Sequence, residues 1–386
     1  MTIYDVIIIG AGAAGLSAAI SATENNKRVL VLDMGDCPGR KVAVSGGGRC
    51  NITNASVSHM RYFGENPNFV RGAIARISPN DILDWMNKHN IGYTEKTPGQ
   101  YFCTTGADAV VNGLIHDCRN AEIKYNHTVS SVEKTNDLFV VSANGKKFSA
   151  KNLVITSGGT SFATLGVSDI GHKIAKFFGH KIVPIRPALC AISTTLFSSD
   201  LAGISIHAQI TIGKEKINDD LLFTHFGIGG PATYRATVRD LSNGICINLC
   251  PDVNVYDVLH NAKHTNGRST ITNIISKFLP LRLARFITNN DNRNIADIKD
   301  NEIKIIAEKI NNIKLNYKNI KLHNLQSAEV VRGGISTDDV SSKTMESKLC
   351  PGLFFAGEVL DIAGDLGGFN LHWAWASGRV AGQSIN

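Results

Sequence analysis

At 386 residues, with 43% hydrophobic and 19% charged side chains, the chain has the composition of a folded protein larger than one typical domain. This composition excludes wholesale disorder, and without any run of about 18 uninterrupted apolar residues no membrane span is expected. The net charge of +7 is a mild basic bias that suggests an anionic partner.

The first element is Tyr4–Ile9 (YDVIII), a short β-branched run of the kind buried on both faces of a parallel sheet. It has no basic segment before it and is only a strand long, so it reads as a strand and not as a secretion signal. Gly10-Ala11-Gly12-Ala13-Ala14-Gly15 follows, then an Ala-rich helical pattern over 16–24, then a second β-branched run over 28–32 that ends at Asp33. Gly10 permits the tight turn, Gly12 lets the backbone approach a pyrophosphate, and Gly15 lets the helix pack on the strand. The N–H groups of the first helical turn, from Ala13 onward, face the phosphates with a partial positive charge. Asp33 stands 18 residues after Gly15, where a carboxylate accepts bonds from both ribose hydroxyls. A glycine fingerprint between a strand and a helix, with an acid at this distance, predicts a dinucleotide site. It does not separate FAD from NAD.

The next segment, 39–54, places Gly46, Gly47 and Gly48 in a row between Arg40, Lys41 and Arg49, followed by Cys50 and Asn51. Such backbone suits a close approach to a flat or anionic cofactor. Strands near 123–129, 138–141 and 153–157 would complete the first sheets, and Pro184 and Pro187 mark an exit. Residues 188–250 alternate in short runs with turn signals, which predicts a small β-barrel or sandwich. Residues 252–320 turn helical, with Ile271, Ile274, Ile275 and Phe278 on one face before Pro280. The chain returns through strands near 327–336. Leu353–Ala356 reads as a buried strand ending at Gly357 and Glu358. Gly367, Gly368, Phe369 and Asn370 open a helix over 371–383, whose N-terminus would stabilise negative charge on a cofactor ring.

Charge and thiols are distributed unevenly. From 252 to 325 there are 12 Lys/Arg and 7 Asp/Glu, most of the excess charge in about a fifth of the chain. Lys263, Arg268, Lys277, Arg282 and Arg285 occur with no acid between 261 and 290, a pattern that suits nucleic-acid phosphates but more often marks a solvated helical face. None of the eight cysteines forms Cys-x-x-Cys, and Cys246 and Cys250 lack a second pair, so no metal site is expected. Scattered thiols in a chain this large fit a reducing compartment and a cytoplasmic protein.

GRKVAVSGGGRCNITN (39–54) resembles the signature of the BaiN/YhiN-type flavoproteins, a bacterial family of FAD-dependent oxidoreductases. LVITSGGTS (153–161), LLFTHFGIGGPAT (221–233) and the segment 344–382 resemble further motifs of that family in the same order, so the likeness runs the whole chain. It implies an α/β fold: a discontinuous Rossmann-like FAD-binding domain (1–187 and 333–386), an inserted β-barrel domain (188–251 and 321–332) and a helical basic insertion (252–320). It further implies FAD contacts from Val129, Ser157 and Gly158, and from Gly357, Glu358, Gly367, Gly368, Phe369, Asn370 and Leu371, beside those of Gly10–Gly15, Asp33, Arg40, Lys41, Gly48, Arg49, Cys50 and Asn51. His372 departs from the family, which usually reads Gln there. Residues 169–172 depart as well, so no role is carried over to that loop.

EKTPGQYFC (95–103) is similar to the YhiN branch, which is associated with dihydrouridine formation in large-subunit ribosomal RNA. The resemblance thus implies ribosomal RNA or its precursor as partner and NAD(P)H as reductant, although the sequence holds only one dinucleotide fingerprint. Other family members imply a small-molecule enoyl reductase or an amine oxidase resembling aminoacetone oxidases, and a non-catalytic flavin module is a further alternative. Reducing uracil needs a hydride at C6 and a proton at C5, and a cysteine within about 3–4 Å of C5 would serve as the acid. Cys103 and Cys50 are the candidates. Cys103 ranks first, because Tyr101 and Phe102 beside it are suited to stacking a base.

Overall fold

Val6, Ile7 and Ile8 have no exposed surface because β1 (Ile3–Ile9) lies inside a parallel sheet and buries both faces. A computed structural model of the chain describes residues 2–162 and 166–386. β1 pairs in parallel with β2 (Val29–Leu32) on one side and with the strand Lys146–Ile155 on the other. The helix α1 (Ala13–Glu24) connects β1 to β2. Glu122–Lys124 extends the sheet beyond β2. The strand Lys146–Ile155 serves two neighbours. Its first half runs antiparallel to Leu138–Ala143, which pairs in turn with Val129–Thr135, and its last three residues run parallel to Leu353–Phe355.

The chain forms two compact units, 1–187 with 325–386, and 188–324. The return to the first unit comes at Leu325, eight residues before the expected boundary at 333, because Val330–Ile335 pairs with Ile182–Ala188. In the first unit the C-terminal helix Phe369–Gln383 packs on α1 through small residues. A Cβ at Gly378 would run into the Ala14 carbonyl, and one at Gly382 into the Ala18 carbonyl. The two helices that carry the first and last motifs therefore touch backbone to backbone.

The second unit contains a seven-stranded half-barrel sheet with the order Ile313–Leu315, Ile245–Asn248, Ser205–Ile212, Glu215–Thr224, Gly227–Gly229, Ile192–Ser193, Lys321–Leu322. Its helices include Val255–Thr265, Ile271–Ile275, Leu281–Ile287 and Asp300–Asn311. Asn254 and Thr270 cap the first two with side-chain oxygens that accept from Asp257 N and Asn273 N. Ile271, Ile274 and Ile275 are buried, as their spacing predicts. Sheet and helices share one core, joining Ile210 and Ile247 with Leu259, Ile303 and Ile310, so the helical stretch folds as part of the half-barrel unit.

Candidate cofactor site

The glycine turn after β1 assigns each glycine a distinct job. Gly10 has φ of +109° and lies against the Thr156 carbonyl, and a Cβ at Gly15 would collide with the Gly10 carbonyl. At Gly12 nothing lies within 4 Å of where a Cβ would stand. Gly12 is also the N-cap of α1 and no side chain caps that helix, so the first-turn N–H groups of Ala13 and Ala14 stand beside an open face. Asp33 is aimed by backbone donors: Ala11 N donates to Oδ2 at 2.5 Å and Gly35 N to Oδ1 at 2.7 Å. Arg40 approaches the same carboxylate at 3.9 Å.

Lys41 and Glu358 meet although they lie far apart in sequence. Lys41 Nζ donates to Glu358 Oε2 at 2.5 Å and to Ser161 Oγ at 2.7 Å. Val331 N donates to the other carboxylate oxygen of Glu358 at 3.0 Å. The sequence reading assigns Glu358 to cofactor hydroxyls but misses Ser161 and Val331. The run LVITSGGTS contains Ser161, yet nothing in it points to Lys41.

The triple glycine is a left-handed turn. Arg40–Gly48 starts as a helix and breaks at Ser45, after which Gly46, Gly47 and Gly48 have φ of +57°, +67° and +80°. The Cα faces of Gly47 and Gly48 are open, and Arg49 is exposed beside them. Two asparagines of the same motif then hold the glycine pair that precedes the C-terminal helix. Asn54 Nδ2 donates to Gly367 O at 2.8 Å. The Asn51 amide, oriented to satisfy both ends, donates to Tyr101 O and accepts from Gly368 N, each at 3.3 Å. Gly367 and Gly368 have φ of +113° and +94°, which only glycine adopts without strain. The resemblance to known flavoproteins joins these two motifs by order alone; the structure joins them by hydrogen bonds.

Several expected cofactor contacts have other partners. Phe369 is 1% exposed and packs edge-on against Tyr62. Asn370 uses its whole amide on Gly364, accepting from its N–H at 2.8 Å and donating to its carbonyl at 3.0 Å. The Asn370 amide thereby satisfies both backbone groups of the turn at Gly364. Val129 is buried at the start of its strand, Leu371 is half-buried, and Gly357 has φ of +78° with Ala14 directly against its Cα. Ser157 Oγ is buried without a hydrogen-bond partner, and next to it Gly158 has φ of +75° and an open face.

Both candidate thiols are buried. Cys50 is 0% exposed, and burial pushes its thiol up to about 12. Cys103 is 1% exposed and its thiol donates to Gly106 O at 3.1 Å. A proton donor must touch the atom it protonates, and here neither thiol reaches the surface. His372 is also internal. Its Nε2 donates to Ile77 O at 2.9 Å, which leaves Nδ1 to accept from Thr53 Oγ1 at 2.8 Å. Burial pulls its pKa down to about 4, so the ring is neutral.

Two of the basic residues of the second unit have partners there. Lys263 is taken by Asp300 at 2.8 Å, and Arg282 donates to Ala202 O at 2.9 Å. Arg268, Lys277, Arg282 and Arg285 are exposed. Among the described residues no helix is long and apolar enough to cross a membrane, and no group of three or more His, Cys, Asp or Glu is arranged to hold a metal ion.

The residues of the first unit fit a dinucleotide flavin. An uncapped helix start beside an open glycine face suits a pyrophosphate, an aimed carboxylate suits a ribose, and the orphaned Ser157 hydroxyl lies beside a second open glycine. A family model described as "HI0933-like protein Rossmann domain" matches residues 4–384. Two proteins named "Ribosomal RNA dihydrouridine synthase" are similar over nearly their whole length. The one from Escherichia coli (strain K12) is 35% identical, covering 99% of this chain and 98% of the relative. The one from Haemophilus influenzae (strain ATCC 51907 / DSM 11121 / KW20 / Rd) is 37% identical, covering 98% of each. A "3-dehydro-bile acid delta(4,6)-reductase" from Clostridium scindens (strain ATCC 35704 / DSM 5676 / VPI 13733 / 19) is 26% identical over 98% of each chain. Among solved structures, 3-ketosteroid delta1-dehydrogenase from Sterolibacterium denitrificans superposes with a TM-score of 0.54 at 13% identity, covering 100% of this chain and 99% of that one, a likeness of fold.

Proposed function

The chain belongs to the HI0933-like Rossmann family, and from that premise we propose that it reduces uridine to dihydrouridine in large-subunit ribosomal RNA, with NAD(P)H as the electron source. As a member of that family it is an FAD-dependent oxidoreductase. The observation that carries the finer reading is similarity at 35% and 37% identity, end to end, to two proteins named for that reaction. The exposed cations Arg268, Lys277 and Arg285 support it, because an RNA substrate is read largely through its phosphates.

FAD, when bound, supplies the hydride that reduces the uracil C5–C6 double bond. This chain's residues hold and orient it. Gly12 and the first turn of α1 receive the pyrophosphate, and Asp33, fixed by Ala11 N and Gly35 N, receives the ribose hydroxyls. Lys41 sets a positive charge on Glu358 and Ser161, which hold its ammonium in place. The basic residues of the second unit grip flanking phosphates, and the target base leaves its stack to be reduced. We assign the C5 proton to neither Cys50 nor Cys103.

The test is direct. Ribosomal RNA from a strain lacking this protein should lose one dihydrouridine, measured by mass spectrometry of nucleosides and restored by the cloned chain. Unchanged dihydrouridine would reject the reading. The 26% identical bile-acid reductase favours a second reading, reduction of a small enone. Purified protein that oxidises NAD(P)H with an enone but leaves ribosomal RNA untouched would select it.

A further inference from the structure

Phe226 is 41% exposed, yet its ring is not free to turn. It lies flat on His323, with centroids 4.1 Å apart and planes 9° from parallel. Both partners are pinned from behind. Phe226 sits with His225 in the tight turn between Glu215–Thr224 and Gly227–Gly229, where Thr224 faces Gly227. Thr194 N donates to Phe226 O at 2.9 Å, and Gly227, with φ of +151°, presses so close to the Ile192 carbonyl that no side chain would fit. His323 N donates to Ala191 O at 2.8 Å, and its Nδ1 lies 3.2 Å from Ser193 Oγ. The half-barrel thus presents a backed, oriented aromatic face to solvent. A lone exposed phenylalanine is ordinary. A ring held parallel on a second ring, each anchored by backbone hydrogen bonds beside a strand, is pre-organised for a flat ligand.

The surroundings narrow the ligand. His225 is exposed next to Phe226, and Lys321, two residues before His323 on the neighbouring strand, is exposed as well. A flat neutral ring that carries a phosphate meets both features. We infer that Phe226 on His323 is a stacking platform for an unpaired base of the RNA substrate, with Lys321 beside it for the adjoining phosphate; this rests on the proposed RNA reading. Stacking a base on an aromatic side chain contributes about 1–3 kcal/mol, a factor of roughly 5 to 150 in affinity, and tolerates any base because each has a π face.

The test uses the full flavin-loaded chain and a single-stranded RNA carrying one 2-aminopurine, whose fluorescence falls on stacking. Wild type should bind and quench it. Phe226→Ala should weaken binding at least about fivefold and abolish the quench. Phe226→Leu, which restores bulk without a π face, should resemble Phe226→Ala, whereas Phe226→Trp should bind as wild type. On the same RNA with abasic sugars at every position, all four proteins should bind alike. Equal affinity of wild type and Phe226→Ala for the intact RNA overturns the platform and leaves the RNA reading standing. So does a loss that persists on abasic RNA, since that loss would not involve a base. No RNA binding by wild type overturns both. Should Phe226→Ala fail to hold its flavin, the Leu and Trp variants decide: equal binding by those two also overturns the platform.

Discussion

Lys41 Nζ stands 2.5 Å from Glu358 Oε2, so a residue in the first glycine-rich motif and one in the last form an ion pair across 317 positions. Without the ammonium, Glu358 keeps Val331 N at 3.0 Å and the more distant Gly159 N and Ser161 Oγ, each at 3.4 Å. Lys41→Met should therefore lower FAD affinity about 10-fold or more, because a charge-assisted hydrogen bond contributes about 1.5–3 kcal/mol and the remaining carboxylate would face the cofactor unneutralised. Flavin fluorescence titration reads this. Glu358→Gln, which keeps an acceptor for Val331 N, should cost less, and equal losses would show that the pair acts only in folding.

His372 makes the fold acid-sensitive. Its folded pKa lies near 4 against about 6.5 in an unfolded chain, so at intermediate pH the unfolded state binds the extra proton. The stability this site contributes is complete above about pH 6.5 and is lost as pH falls toward 4, by up to about 1.4 kcal/mol per unit. His172 and His180, also lowered by burial, add to the same limb. A glutamine at 372 has one acceptor for the Thr53 hydroxyl and one donor for Ile77 O, without a titrating group. His372→Gln should melt within a few degrees of wild type at pH 7.5 and fall less steeply between pH 6.5 and 4.5. An unchanged acid limb would place the sensitivity elsewhere.

The Gly10–Asp33 unit was legible in the sequence because each of its residues acts through a fixed local spacing, and the half-barrel and its helices were legible through periodicity. The joints between distant motifs were not. Nothing in NITN says that Asn54 holds the Gly367 carbonyl or that Asn51 reaches Gly368, since those contacts join residues 313 or more positions apart. The same letter also hides opposite environments. Cys103 ranked first as the acid because Tyr101 and Phe102 stand beside it, and in the structure its thiol donates to Gly106 O at the end of the strand Gln100–Cys103. Asn370 is a cofactor contact by resemblance, and nothing in the sequence shows that its side-chain amide closes on Gly364.

The contact between α1 and the C-terminal helix sets a size limit at Gly378. One methyl there meets the Ala14 carbonyl, and both helices are too well packed to separate cheaply. Gly378→Ala should destabilise the chain by about 1–3 kcal/mol, against the usual gain from replacing a helical glycine. It should also weaken FAD binding, because Ala14 lies in the turn that faces the pyrophosphate. Thermal melts with and without added FAD read both effects, and a variant more stable than wild type would contradict the contact.

Both candidate thiols are shut away from solvent. Cys103→Ser preserves a donor for Gly106 O, and turnover should stay within about threefold of wild type. Cys50→Ser places a hydroxyl in a fully buried site beside Ser45 and should lower stability by about 1 kcal/mol with little change in turnover. Dihydrouridine formation on ribosomal RNA, normalised to bound flavin, is the measurement. Loss of turnover in Cys103→Ser at full flavin content would restore the thiol as the acid.

The exposed cations of the second unit have a salt signature that separates phosphate contacts from a merely solvated face. Each phosphate neutralised on single-stranded RNA contributes a slope of about −0.7 to log affinity against log salt. Replacing Arg268, Lys277 and Arg285 together with Gln removes three exposed charges and leaves the Lys263–Asp300 ion pair intact. If all three touch phosphate, the slope should become shallower by about 2, and affinity at low salt should fall more than affinity at high salt. Flavin content and melting temperature should not move, because none of the three is buried. A parallel shift at every salt concentration, or no shift, would return this face to ordinary solvated surface and leave RNA binding to other residues, with Lys321 beside His323 the next cation to replace.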